Sequence, residues 1–170
     1  MELLELMKNR YSVRQFEKKQ IEQEKLEKIL EAGRVAPTAC NRQPQRILVL
    51  QTKENLEKLE TCTKFTFQAP TVLMVCADKA TAWTRKQDEK NHGQIDVSIV
   101  TTQMVLEAFS LGIGSCFVCA FDEEKIRQTF AIPQNYEVVT LLPLGYPAGK
   151  PAEGHSIRKP KEETIFYENY

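Results

Sequence analysis

The chain has 170 residues, the length of one ordinary globular domain, and we expect residues 1–170 to form a single domain. Lys and Arg together number 23, as do Asp and Glu, so the net charge is zero at neutral pH. A neutral chain has no overall attraction for a phosphodiester backbone or an anionic membrane surface, which disfavours nucleic acid as a partner. The longest purely apolar run, residues 72–77, is far shorter than the roughly 20 residues that span a bilayer, so we expect no membrane association.

The cysteines indicate a reducing compartment. Their number is odd and they are scattered through apolar segments, which favours free thiols over a disulfide framework. They are Cys40, Cys62, Cys76, Cys116 and Cys119. The first residues carry acid where an export signal would carry base. We therefore expect a cytoplasmic protein.

The first half of the chain alternates between helical and strand patterns. Apolar residues at helical spacing over residues 3–7 predict a short helix, and a loop follows it. A second helix is expected from Ile21, with an apolar stripe on one face, until Pro37 ends it. Residues 47–50 read as a buried strand, a helix follows from about Lys53, and a further strand covers residues 71–77.

The second half begins with a polar stretch, residues 79–93, that predicts a loop or frayed helix. A long helix follows until Gly112 stops it. One stripe of this helix is formed by Ile95, Ile99, Thr102, Leu106 and Phe109. Apolar residues also fill much of the rest of its circumference, so we expect it to be buried in the domain centre or against a second subunit.

The remaining elements are a strand over residues 115–119, a helix capped by Asp122, and a strand over residues 138–144. The tail beyond Gly149 has little periodicity. This order predicts an α+β or α/β fold with helices on both faces of a short sheet. Neither GxGxxG nor GxxxxGK[ST] occurs, so a bound nucleotide would need a different phosphate-binding segment.

A candidate phosphate-binding segment lies at Arg10-Tyr11-Ser12-Val13-Arg14. In an extended backbone, the two guanidinium groups and the hydroxyl at alternate positions point the same way. Guanidinium groups bind phosphate oxygens in a bidentate manner and keep their charge when partly buried. The alternative is a pair of solvated arginines.

A second candidate segment is the loop over residues 36–44, in which amide side chains lie between Pro37 and Pro44. Asn41 and Gln43 can each donate and accept hydrogen bonds, as recognition of a planar heterocycle requires. The alternative is a capped turn with no binding role.

Together with Leu111-Gly112-Ile113-Gly114 and the basic pair Arg158-Lys159, these two segments resemble the FMN-dependent nitroreductase family over nearly the whole chain. The resemblance implies an α+β three-layer sandwich whose central, mostly antiparallel sheet is flanked by helices. It also implies an intimate homodimer with two FMN pockets, each built from both subunits.

The resemblance assigns candidate cofactor contacts to both subunits. Arg10, Ser12 and Arg14 would hold the FMN phosphate and ribityl chain, Tyr11 would contribute backbone, and Arg158 and Lys159 would approach the same phosphate. The second subunit would contact the isoalloxazine and ribityl through Pro37, Thr38, Ala39, Asn41 and Gln43. The backbone at Cys119 and Ala120 would lie near flavin N5.

The implied reaction is a ping-pong transfer of hydride from NADH or NADPH through flavin N5 to a small-molecule acceptor such as a nitroaromatic or a quinone. Since the cofactor carries the reaction, no catalytic side chain and no metal are expected. The alternative is a flavin-binding protein that stores or senses FMN without efficient turnover.

The sequence departs from the family pattern in three places. Gln45 stands where an aromatic residue is common, and Cys119-Ala120 stands where larger members often carry Glu-Gly. The stretch between Ala77 and the long helix is short, which predicts a reduced lid over the substrate pocket. Trp83 in this stretch either stacks over flavin or substrate, or packs its ring on the surface.

Cys116 and Cys119 form a CxxC pattern. A redox or zinc motif is weakly supported, because residues three apart in a strand point to opposite faces and no second CxxC occurs. We expect two half-buried thiols. The alternative, a flavin-free thiol oxidoreductase, stays open from the sequence.

Overall fold

A computed structural model describes residues 2–170, so residue 1 of the expected single domain lies outside the described range. The helices are α1 (Leu3–Asn9), α2 (Gln23–Arg34), α3 (Lys53–Glu60), α4 (Gly93–Ser110) and α5 (Glu123–Thr129). The strands are β1 (Gln45–Leu50), β2 (Thr71–Asp78), β3 (Gly114–Ser115) and β4 (Tyr136–Gly145). Short 3₁₀ turns occupy Ala39–Asn41 and Lys161–Glu163.

The sheet has the order β1-β2-β4-β3, and all neighbouring strands are antiparallel. Strand β2 is buried along its whole length, because its two faces meet two separate apolar layers. Leu73, Val75 and Ala77 face α2 and α4, whereas Val72 and Met74 belong to the cluster formed with α3 and α5. The helices therefore cover both faces, and the α+β three-layer prediction is confirmed.

Strand β3 is shorter than the predicted strand over residues 115–119, and this prediction is wrong in its extent. The Cys116 amide donates to the Pro143 carbonyl across 3.3 Å, but proline has no N–H to complete the pair. The ladder is interrupted there and returns only as the isolated bridge between Val118 and Leu141.

Helix α4 is buried on one side only within this chain. Val97, Val100 and Met104 contribute to the core against α2 and β2, and Gly33 of α2 allows a close approach to Met104. The opposite stripe is open to solvent, with an apolar cleft of about 610 Å³ between α4 and Met7 of α1. The exposed apolar members of α4 are Ile95 and Ile99.

A charged cluster joins the start of α2 to the end of β4. The Tyr146 hydroxyl donates to Glu22 and accepts from Lys25 Nζ at 2.9 Å, and Lys19 Nζ lies 2.8 Å from the second Glu22 oxygen. These contacts lower the pKa of Glu22 to about 2, and the hydrogen bond from Lys19 is the largest cause, followed by the hydrogen bond from Tyr146. This carboxylate therefore stabilises the fold only while it is ionised.

The cluster predicts an acid-dependent loss of stability. A lowered folded-state pKa stabilises the protein above the ordinary value of 4.5, and this stabilisation is lost as the pH falls toward 2. Tyr146→Phe removes one donor to Glu22, so the variant should lose less free energy of unfolding than the wild type between about pH 6 and about pH 3. Urea denaturation at both pH values measures the difference, and equal losses in the two proteins would contradict the assignment.

Candidate functional site

The segment that carries Arg10, Ser12 and Arg14 lies along the edge of the sheet. Ser12 bridges Ser115 of β3 in parallel, and the Val13 amide donates to the Ser115 carbonyl at 2.9 Å. Farther along, the Ala148 amide donates to the Gln15 carbonyl at 2.9 Å. These bonds hold the segment in the extended conformation that the alternating pattern requires.

Alternate side chains of this segment point to opposite sides. Val13 is buried against Gly114, where a Cβ atom would lie only 2.6 Å from a Val13 methyl. The Cys116 thiol lies near the polar side chains of the segment. Burial raises the pKa of this thiol, and nearby Arg14, Ser12 and Arg10 act in the opposite direction. The three predicted phosphate ligands therefore converge on one place.

A cleft of about 260 Å³ opens at this place. Its lining consists of Arg10, Tyr11, Ser12, Arg14, Ala152, Gly154 and His155. Within residues 2–170, neither Arg10 nor Arg14 forms an ion pair with a carboxylate. The cleft therefore has two uncompensated guanidinium groups, which favours an anionic occupant.

Arg158 and Lys159 do not line this cleft. Arg158 Nη1 donates to the carbonyls of His155 (2.7 Å) and Ile157 (2.8 Å), and Lys159 lies 3.4 Å from Glu163. Only Arg158 is linked to the cleft, through His155, whose ring meets the Tyr11 ring edge-on at 5.9 Å. The structure thus brings together the three predicted phosphate ligands near the N-terminus, Arg10, Ser12 and Arg14. It leaves the predicted C-terminal pair, Arg158 and Lys159, outside the cleft.

A larger cavity, of about 580 Å³, lies on the other side of Arg14. Its lining includes Gln15, Phe16, Lys18, Glu60, Thr63, Lys64, Thr66, Phe67 and Gln68. The Thr63 hydroxyl donates to the Ala120 carbonyl at 2.7 Å, which places the Cys119-Ala120 segment beside this cavity. In the described part of the chain, the amides of Cys119 and Ala120 donate no hydrogen bond and stay available to a ligand.

Sequence reasoning missed the residues that the connection between α3 and β2 contributes to this cavity. Phe67 and Gln68 both have φ of 53°, a left-handed conformation that no glycine or asparagine pattern signals here. The available signal was the length of the connection, because long loops inside small domains are often functional.

The second predicted segment forms a tight loop before β1. Cys40, Asn41 and Gln43 have φ between 50° and 52°, and the Thr38 hydroxyl accepts from the Gln43 amide at 3.0 Å. The side chains of Asn41 and Gln43 are exposed, as are those of Pro37 and Cys40. The loop therefore presents amide groups to the outside, as a heterocycle-binding role requires.

The two predicted half-sites lie at opposite ends of α4. The loop is attached near the start of the helix, where the Ala39 amide donates to Asp96 Oδ1 at 2.9 Å. Tyr11 contacts Phe109 near the end of the helix, with 6.3 Å between ring centroids. At 1.5 Å per residue, Asp96 and Phe109 are about 20 Å apart along the helix axis. One chain alone does not bring the two sets together.

The CxxC thiols are in different environments. Cys116 is buried and Cys119 is exposed, so the prediction of two half-buried thiols is wrong, and both thiols are free. Trp83 is partly buried and its ring lies 5.0 Å from the His92 ring, which favours the packing interpretation.

Residues 2–170 contain no cluster of three His, Cys, Asp or Glu side chains arranged to hold a metal ion. They also contain no helix with the length and apolar character of a membrane span.

The fold and the site define an α+β protein with a cleft at the edge of its sheet that is lined by two guanidinium groups without carboxylate partners in residues 2–170. A family model described as "Nitroreductase family" matches residues 7–64 and 57–146. The chain belongs to the nitroreductase family, which confirms the resemblance in the sequence.

Solved structures and relatives agree with this assignment. The chain is similar to a nitroreductase family protein of Clostridium difficile 630, with a TM-score of 0.95, 43% identity and 100% coverage of both chains. It is also similar to an FMN-dependent nitroreductase of Clostridium difficile R20291, with a TM-score of 0.82, 26% identity, and coverage of 98% and 99%. An FMN reductase [NAD(P)H] of Bacillus subtilis is 25% identical over 99% of this chain and 74% of its own length.

Proposed function

We propose that this protein is an FMN-dependent oxidoreductase that uses NADH or NADPH to reduce small acceptors such as nitroaromatics or quinones. The observation that carries the proposal is the convergence of Arg10, Ser12 and Arg14 at a cleft that has no carboxylate counter-charge in the described chain. Family membership favours a flavin phosphate as the anion, because one similar structure is described as an FMN-dependent nitroreductase and one relative as an FMN reductase [NAD(P)H].

The residues present fit FMN. Arg10 and Arg14 would bind the phosphate, and the Ser12 hydroxyl adds a further hydrogen-bonding group. The larger cavity next to Arg14 would receive the ring system, with the unpaired amides of Cys119 and Ala120 as donors to its edge. Arg158 and Lys159 would reach the phosphate only if the C-terminal tail changed its position, since both are engaged elsewhere in this chain.

Bound FMN would supply the redox chemistry by taking hydride from the nicotinamide and passing reducing equivalents to the acceptor. The protein's contribution is then to bind the cofactor, to orient it and to polarise its ring system. The guanidinium groups would hold the anionic end of the cofactor. Thr63, which lines the cavity, holds the Ala120 carbonyl and so keeps the Cys119-Ala120 backbone beside the cavity. The loop amides of Asn41 and Gln43 would form hydrogen bonds with polar edges of the ring.

We also propose a homodimer in which the loop over residues 37–43 completes the site of the other subunit. An isologous two-fold contact sets the start of one helix beside the end of its copy if the two α4 helices run antiparallel. The exposed face of α4 with Met7 offers the apolar surface for such a contact. The five free thiols fit a cytoplasmic location.

The first test is the visible absorption spectrum of the purified protein, recorded anaerobically before and after NADH and then NADPH. A flavin band that bleaches with either nucleotide supports the oxidoreductase, and turnover with a nitroaromatic or quinone then identifies the acceptor class. A flavin band that persists would favour the storage or sensing alternative. No flavin band, even after FMN is supplied, would reject the cofactor assignment.

Removal of one guanidinium tests the phosphate site. Arg14→Ala should raise the Kd for FMN about tenfold to hundredfold, because a charge-assisted hydrogen bond to the phosphate is lost. Flavin fluorescence titration measures the change. Arg34→Ala is the matched control, since Arg34 is an exposed guanidinium on α2 paired with Glu31, and it should leave the Kd unchanged. Equal Kd values for all three proteins would reject the assignment.

The dimer is tested by placing a charge on the open face of α4. Ile99→Asp should sediment as a monomer and bind FMN weakly, because a buried unpaired carboxylate opposes association. Leu48→Asp is the control, since Leu48 on β1 is exposed to the same extent (39% against 37%) but lies away from α4's open face. A wild-type monomer at micromolar concentration that binds FMN fully would overturn the shared site.

A further inference from the structure

The attachment of the 37–44 loop to the body of the protein depends on a buried carboxylate that the predicted site did not include. Asp96, in the first turn of α4, is 2% exposed, and its Oδ1 accepts the Ala39 amide at 2.9 Å. A buried carboxylate is costly unless it is hydrogen-bonded, so its presence at this junction calls for a role.

The loop needs an anchor because its backbone is strained. Three non-glycine residues, Cys40, Asn41 and Gln43, adopt left-handed φ angles, and such conformations persist only when the surroundings hold them. The far end of the loop is fixed by Arg46 Nη1, which donates to the Gln43 carbonyl at 3.1 Å, and by the β1–β2 pairing. At the near end, the bond between Ala39 and Asp96 is the link to α4.

The buried side-chain polar atoms without a partner in residues 2–170 are Gln45 Oε1, His92 Nε2 and Asp96 Oδ2. Gln45 directly follows the loop, and the other two residues belong to the start of α4. His92 precedes Asp96 by one helical turn. Gln45 pairs with Ala77, and the Ala77 side chain lies beside Gly93 at the start of α4. Unpaired buried atoms are rare in native structures because each costs free energy. That all three residues border the loop or the start of α4 indicates a role for this junction beyond stability.

We propose that Asp96 is a positioning residue of the cofactor site, which sets the conformation of the 37–44 loop through the Ala39 amide. The inference rests on the proposed function, because the loop matters for activity only if it contacts the flavin. Asp96 itself is buried beneath the loop and acts through Ala39. In the dimer, its effect is expressed at the site of the other subunit.

The test compares FMN binding by wild type, Asp96→Ala and Asp96→Asn. The alanine variant loses the acceptor for the Ala39 amide and should bind FMN about tenfold to hundredfold more weakly. The asparagine variant keeps an acceptor oxygen, so its Kd should stay within about fivefold of wild type. Visible circular dichroism of the bound flavin, which reports the asymmetry of its surroundings, should change in the alanine variant and be restored in the asparagine variant.

Two further variants separate positioning from helix stability. Thr101→Val alters another fully buried polar side chain of α4, whose hydroxyl bonds only to the Val97 carbonyl, and should leave both readouts unchanged. Ala39→Pro removes the amide donor and leaves Asp96 intact. Proline suits this position because Ala39 begins a 3₁₀ turn and Thr38 is extended, with ψ of 156°. This variant should raise the Kd for FMN. Adding Asp96→Ala to it should raise the Kd little further, because both changes remove the same hydrogen bond.

The outcomes distinguish the inference from the function on which it rests. Wild-type protein that does not bind FMN would overturn both. Wild-type protein that binds FMN, together with an Asp96→Ala variant of equal Kd and equal circular dichroism, would overturn the positioning role alone. A Thr101→Val variant as weak as Asp96→Ala would also overturn it, because the effect would then come from the helix as a whole. If Asp96→Ala does not fold, the Ala39→Pro variant tests the positioning role of Asp96 instead. An unchanged Kd for FMN in that variant would reject this role.

Discussion

The structure depends on the packing of α4 against the central strand β2. Val97, Val100 and Met104 pack in the apolar cluster that covers one face of the sheet, and without α4 the strand β2 would lose apolar cover on that side. The same helix contacts one of the two predicted site segments at each end, the 37–44 loop through Asp96 and the basic segment through Tyr11 and Phe109. Because a helix is rigid over this length, the distance between the two elements is set by the core and not by the loops. The packing that stabilises the fold therefore also fixes the geometry of the predicted site.

The charge pattern shows how a protein of zero net charge can have a local positive site. Most arginines outside the cleft are neutralised locally, as in the pairs of Arg34 with Glu31, Arg46 with Asp78, and Arg127 with Glu123. Arg10 and Arg14 have no such partner within residues 2–170, although acidic residues are as numerous as basic ones. The zero net charge excludes long-range attraction for polyanions, but it says nothing about a local site. The position of uncompensated charge, which only the fold reveals, is what carries the functional information.

Much of the fold could be predicted from periodicity, because α2, α4 and β2 have strong apolar patterns with clear stop signals at Pro37 and Gly112. The extended Arg10–Arg14 segment was equally predictable, since alternation is a local property. The extent of β3 was not, because it depends on the proline that pairing places opposite Cys116. The contribution of Phe67 and Gln68 to the large cavity was not predictable from local patterns, since both adopt left-handed φ angles without a glycine or asparagine signal, and only the length of the connection pointed to it. Asp96 was hidden for another reason: an acidic residue in the first turn of a helix is ordinary, and only its burial makes it informative.

The thiol beneath the basic segment explains how the site can hold an anion without neutralising its own ligands. An ionised group at the position of Cys116 would pair with Arg10 and Arg14 and reduce their attraction for a phosphate. Burial is the largest influence on this thiol and raises its pKa above the ordinary cysteine value, which favours the protonated thiol despite the two guanidinium groups nearby. A neutral, polarisable thiol therefore lies near Arg10 and Arg14, and it does not compensate the charge that these arginines bring to the cleft. The same protonation makes Cys116 a poor nucleophile, and this argues against thiol chemistry as the function of the CxxC pattern. What the chain provides at this cleft is charge, hydrogen-bond donors and a fixed geometry, which are the contributions that a protein makes to a reaction whose chemistry a bound flavin supplies.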